Sequence, residues 1–187
     1  MNRSFHGTST ASGSGGMAWA AGAGLAAGLA ANFVRKAIMQ APTALAGDWD
    51  QALAQEHKAA LALFDKLEQT EHATRRAMLF AKLKQALSRH AFEEENVIYP
   101  ALRDHGAGDR AEAFNHDHGL VKQYLFDLGR DQHRSDWTTK LREFRSLFEK
   151  HMREEEEQVF PELKAQLSED ENHAVTMAMN KEGLKLA

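Results

Sequence analysis

Two blocks of eleven residues, HAFEEENVIYP from His90 and HMREEEEQVFP from His151, share one pattern: His first, Glu four on, an aliphatic residue eight on, an aromatic nine on and Pro ten on. The match extends upstream, where QEHKAALALFDKL around His57 resembles HDHGLVKQYLFDL around His118. Each of these has an acidic residue before the His and apolar residues seven and ten beyond it. His57 to His90 and His118 to His151 are both separations of 33 residues, so the chain carries two copies of one helical hairpin, offset by 61. Four long amphipathic helices with short joins make an all-α, up-down-up-down four-helix bundle.

The pattern predicts helices over about 48–69, 72–103, 109–131 and 136–166. Asp48 and Gln51 look like a capping box at the first start, and Ser168 like the N-cap of a short fifth helix running towards Lys181. The Gly106 to Gly108 region and RDQHRSD punctuate the later joins, while QTEHAT is weaker punctuation between the first two helices. Upstream, residues 1–16 are small and polar and read as a disordered tail. Residues 17–47 form a Gly/Ala-rich leader. Its apolar run, 17–34, has Gly24 and Gly28 at a spacing that lets helix backbones approach, which makes it a candidate membrane or homo-oligomer contact. The bundle is expected over 48–167, and a short helix and tail over 168–187.

In an antiparallel helix pair, residues equally far from the turn sit at the same height. The midpoints of 57 and 90, of 90 and 118, and of 118 and 151 all fall at or beside an expected turn, so the four histidines share one level. They also face inward. Leu53, His57, Leu61 and Phe64 form one core stripe, and Leu79, Leu83, His90, Glu94 and Val97 a second. Phe114, His118, Val121 and Leu125, then Phe144, Phe148, His151, Glu155 and Val159, complete the set. Glu94 and Glu155 lie one turn from His90 and His151 on the same face. On this reading Glu93, Glu95, Glu154, Glu156 and Glu157 solvate the outside, and His72, His105, His116, His133 and His173 are solvated.

Six inward polar groups at one level would be costly if unpaired. A multivalent cation offsets that cost. With no cysteine in the chain, thiolate sites, disulfides and cysteine nucleophiles are excluded. Imidazole plus carboxylate suits iron, manganese or zinc, and two carboxylates placed to bridge suit a pair of metals. A formal net charge of −4 gives no general attraction to nucleic acid, which is not expected as a partner.

At these residues the chain resembles the hemerythrin-like, or HHE cation-binding, family, whose pattern is a His, then His-x-x-x-Glu, then both again. The resemblance covers about 48–167. It implies that His57, His90, Glu94, His118, His151 and Glu155 ligate two non-haem iron ions with an oxo or hydroxo bridge, manganese or zinc being the weaker alternatives. It also implies binding, storage or sensing of dioxygen, or, as an alternative, an enzyme removing peroxide or nitric oxide. Animal hemerythrins carry a further histidine through a His-x-x-x-His pair on the third helix and an aspartate on the fourth. Here position 114 is Phe, 122 is Lys and the fourth helix carries Glu155. That departure weighs against a reversible oxygen carrier, because an unfilled ligand place leaves both metals reactive. Tyr124 is the tyrosine expected to approach the site. A ferritin-like iron oxidase ranks lower, since those bundles carry Glu-x-x-His, the reverse order. The expected compartment is the cytoplasm, with membrane association through the leader as the variant.

Overall fold

The computed structural model describes residues 47–186. The expectations for the tail at 1–16, for the leader at 17–47 apart from Gly47, and for contacts through 17–34 lie outside them. In the described part the chain runs α1 (Trp49–Glu68), α2 (Ala73–Glu93), a π-helical turn (Glu94–Ile98) and α3 (Tyr99–Asp104). It continues with α4 (Gly108–Arg130), α5 (Trp137–Glu154), a second π-helical turn (Glu155–Val159), α6 (Phe160–Gln166) and α7 (Glu169–Leu186). The fold is the expected all-helical bundle, with turns at the three expected midpoints. Among the described residues no helix is long and apolar enough to cross a membrane.

The π turns correct the expectation of two unbroken α-helices. Each begins at the glutamate of a repeat block and closes with a bond from five residues on, Tyr99 N–H to the Glu94 carbonyl and Phe160 N–H to the Glu155 carbonyl. Pro100 and Pro161 follow directly. Proline has no N–H to donate and its ring crowds the carbonyl four residues back, so a wider turn accommodates it. The widening also rotates what comes next. In an α-helix the residue five on from Glu94 would lie about 140° round the axis, whereas the π turn returns Tyr99 to the inner face.

The ends of the elements differ in how far they match the sequence reading. Gly106, at φ 81°, ends α3 in the left-handed region. Ala107 N–H then bonds to the Leu102 carbonyl at 2.8 Å and Gly106 N–H to Arg103 at 3.2 Å, a Schellman closure. Ser168 and Glu171 form a capping box in which Glu171 accepts from Ser168 N–H at 2.8 Å. Asp48 makes no side-chain cap and instead pairs with Lys164 at 3.0 Å. The fifth helix is longer than expected, reaching Leu186. It is tied to the start of α1 by Trp49 Nε1 donating to Asn172 at 2.9 Å and Trp49 N–H to Thr176 at 3.1 Å.

The core falls into two apolar layers with the histidine level between them. Phe64, Leu83, Leu128, Leu141, Phe144 and Phe148 lie in one. Trp49, Leu53, Ile98, Tyr99, Phe114 and Phe160 lie in the other. Phe64 meets Phe144 edge-on at 5.1 Å between ring centroids.

Helix α7 packs across α2 and the first π turn, and that contact breaks the symmetry of the repeat. Glu93 is fully buried, whereas its repeat counterpart Glu154 is exposed. This corrects the expectation that Glu93 faces water. Burial, reinforced by the nearby Glu56 carboxylate and opposed by Arg89 at 3.6 Å, pushes the Glu93 carboxyl from 4.5 up to about 8.

Two outcomes test the packing. Phe144→Ala should lower unfolding free energy by about 3–5 kcal/mol, while Phe126→Ala, on an exposed ring, should change it by under about 0.5 kcal/mol, both read from urea titrations. For Glu93, the folded carboxyl holds its proton up to about pH 8 and the unfolded one releases it near 4.5. Its contribution is therefore complete below pH 4.5 and is lost as pH rises through 8. With a chelator present, Glu93→Gln should melt above wild type at pH 9 by more than about 2 °C, with the gap closing towards pH 5. A pH-independent gap would reject the buried-proton account.

Candidate metal centre

All six predicted residues arrive at one level, each less than a twentieth exposed. The α-helical stripes deliver His57 from α1, His90 from α2, His118 from α4 and His151 from α5, and the π turns begin at Glu94 and Glu155. Two groups of donor atoms form, each within 4.8 Å: His57, His90, Glu94 and Glu155, and beside it Glu94, His118 and His151. Glu94 Oε2 lies 3.2 Å from the Nε2 atoms of both His90 and His118. Glu155 Oε2 is 3.5 Å from His57 Nε2 and 3.3 Å from His151 Nε2. Each carboxylate thus spans the two hairpins.

The far side of each imidazole decides what the near side can do. His57 Nδ1 meets Glu156 at 2.7 Å, His90 Nδ1 meets Glu56 at 3.1 Å and His118 Nδ1 meets Glu95 at 3.0 Å. His151 Nδ1 has Asp117 at 3.6 Å, an ion-pair distance rather than a hydrogen bond. The pattern obeys the offset of 61. Glu56 serves His90 as Asp117 serves His151, and Glu95 serves His118 as Glu156 serves His57. A carboxylate can only accept, so the bonded Nδ1 atoms carry a hydrogen and the Nε2 atoms are the ones that turn inward, to hold a second proton or a cation. His57 and His90 then face each other at 3.0 Å between Nε2 atoms.

Glu95 and Glu156 are half-buried, not solvated, and this corrects the sequence reading of both. The recurrence of an acid before His57 and His118, and after Glu94 and Glu155, was the signal. Its use was not legible, because each acid serves a histidine on another helix. Glu154 and Glu157 are exposed as expected, as are His72, His116, His133 and His173. His105 is half-buried, with Nδ1 2.9 Å from the Ala101 carbonyl.

Tyr99 is the residue that periodicity missed. Fully buried, its hydroxyl lies 3.0 Å from Glu155 Oε1, 3.0 Å from His118 Nε2 and 3.3 Å from Glu94 Oε2. Read as continuous α-helix, Tyr99 is nine residues and about 180° from His90, and the π turn removes that angle. Tyr124, the expected tyrosine, stacks on Phe144 at 5.2 Å in the layer that holds Phe64 and Phe148, away from the cluster. On α4, four residues to either side of His118, Phe114 stacks on Tyr99 at 5.8 Å and Lys122 turns outward to Glu95 at 2.6 Å.

Burial opposes charge on His90, His118 and Glu94, yet their neighbours override it. The Glu94 and Glu56 carboxylates hold His90 well above the ordinary imidazole range, and His118 is pushed up to about 9 by Glu94 and Glu95. His90 and His118 hold Glu94 well below the usual carboxylate range, while burial and the two glutamates push the Tyr99 phenol upward. The site therefore attracts positive charge, as protons or as a cation. Glu94 Oε1, Glu155 Oε2 and His151 Nε2 are buried without a hydrogen bond, which is what a donor set missing its acceptor looks like. The residues fit a cation.

Comparison with known proteins points the same way. A stretch of 90 residues is 33% identical to an uncharacterized hemerythrin-like protein of Schizosaccharomyces pombe, covering 46% of this chain and 44% of that relative. The chain thus spans under half the length of that relative. Residues 50–163 match the hemerythrin HHE cation binding domain, and the chain belongs to that family.

Proposed function

We propose that the bundle is a non-haem di-iron centre that binds dioxygen or a related small molecule. His57, His90, Glu94 and Glu155 would hold one ion, and His118, His151, Glu94 and Glu155 the other. The observation that carries this reading is the set of imidazoles whose Nδ1 atoms face carboxylates, turning four Nε2 atoms and two carboxylates onto one dry volume. Iron bound there would supply a redox-active Lewis acid. The protein's part is to orient the imidazoles, exclude bulk water between two apolar layers, and place the Tyr99 hydroxyl beside Glu155 and His118.

A second reading, an enzyme removing peroxide or nitric oxide, draws support from two features. Neither Phe114 nor Lys122 offers a further nitrogen to the cluster, which leaves room at the metals. Tyr99 also sets a hydroxyl beside Glu155 and His118, a hydrogen-bond donor among the residues that would hold the ions.

Metal analysis of purified protein should find iron. His90→Ala or Glu155→Ala should lose most of it and Glu157→Ala none, and equal loss in all three would reject the assignment. Glu56→Gln and Asp117→Asn should keep the fold and weaken iron binding by roughly 10–100-fold in competition with a chelator. Optical spectra before and after dioxygen separate the readings: reversible change without turnover marks binding, and consumption of peroxide or nitric oxide marks the enzyme.

A further inference from the structure

The duplication should give the bundle two equivalent seams, α2 against α4 and α1 against α5, and side-chain volume makes them different. Across α1 and α5 the seam is filled by Ala60, Phe64, Phe148 and Met152, with the Phe64 and Phe148 rings 5.8 Å apart and both fully buried. Sixty-one residues away in each case, the α2 and α4 seam carries Val121, Leu125, Leu87 and Ala91. Two phenylalanines and a methionine are replaced by two leucines and an alanine, a loss that Val121 in place of Ala60 offsets only in part, and cavities lie along this seam.

One cavity of about 180 Å³ opens between Ala91, Phe92, Val121 and Leu125. It shares Leu125 with an open surface groove of about 410 Å³ further along the seam, lined by Ala77, Phe80 and Phe126. On the inner side it shares Leu87, Ala91 and Val121 with a chamber of about 10 Å³ that reaches His90, His118 and His151. That chamber is close to the space of a single water-sized particle.

We propose that the α2 and α4 seam is the entry route to the His/Glu cluster, that Leu87, Ala91 and Val121 form its neck, and that the neck selects small uncharged molecules of diatomic size. The walls at the neck are alkyl groups, which offer an anion or a hydrated cation no replacement for lost water. At the mouth Lys122 and Glu95 offset each other at 2.6 Å, and Glu95 also accepts from His118 Nδ1 at 3.0 Å, so neither charge faces the route alone. Dioxygen and nitric oxide meet both limits of size and polarity.

This rests on the di-iron reading for its kinetic arm only. The variant that closes the route copies the other seam: Leu87→Phe with Ala91→Met, residues the chain already packs at Phe148 and Met152. Val121→Ala opens it. In iron-loaded, reduced protein of equal iron content, stopped-flow binding of nitric oxide should slow at least about tenfold in the first variant and quicken several-fold in the second. Independently of metal, xenon under pressure should occupy the 180 Å³ cavity on the outer side of the neck in the wild-type protein, seen in a crystal or by xenon NMR, and be excluded by the closing variant. Unaltered nitric oxide rates in both variants overturn the proposal, as does xenon absent from the seam. Should the protein hold no iron, the proposed function falls, while the xenon result still decides the route.

Discussion

The structure depends on how it tolerates a layer of charge through the middle of an apolar bundle. Taking an unpaired carboxylate out of water costs several kcal/mol even after relaxation. This core holds Glu94 and Glu155, four imidazoles, and the outer carboxylates of Glu56, Glu95, Glu156 and Asp117. The outer acids hold the hydrogens of His57, His90 and His118 at Nδ1, and Asp117 stands beside His151. The inner Nε2 atoms are left converging on one volume. Everything else in the bundle keeps that volume dry and in register. The aromatic layers above and below supply the cohesion that the polar layer does not, with His57 edge-on to Phe148 and stacked on Phe160.

Local irregularity serves the same end. Each π turn starts at the inward glutamate and ends before a proline, so the residue that disrupts α-geometry also re-aims the chain just beyond the site. In the first copy this brings in the Tyr99 hydroxyl. In the second it brings in Phe160, which has only a ring to offer. A symmetric backbone therefore carries an asymmetric centre, with one polar group among the inner donors and an aromatic wall opposite. Helix α7 adds a second asymmetry by covering Glu93, and the bulk of Phe64, Phe148 and Met152 a third.

Much of this was legible in the residues alone. The separations of the four histidines, whose midpoints fall at or beside turns, place them at one height, and the three-or-four periodicity turns them inward with Glu94 and Glu155. The joins at Gly106 and the cap at Ser168 were legible for the same reason: each is a property of a few adjacent residues. Where the reading went astray, a longer-range cause intervened. Asp48 had a cap available but found Lys164, far along the chain. Glu93, Glu95 and Glu156 looked like three members of wet acidic runs, and their neighbours on other helices decided otherwise.

The amino-acid order alone thus settled the bundle, the inward six and the apolar layers around them, because periodicity and duplication are counted along the chain. The tertiary structure alone decided the partner of each outer acid, the arrival of Tyr99, the burial of Glu93 and the open seam. Those depend on the π-turn rotation and on side-chain volumes meeting across helices, and neither is a property of any one segment.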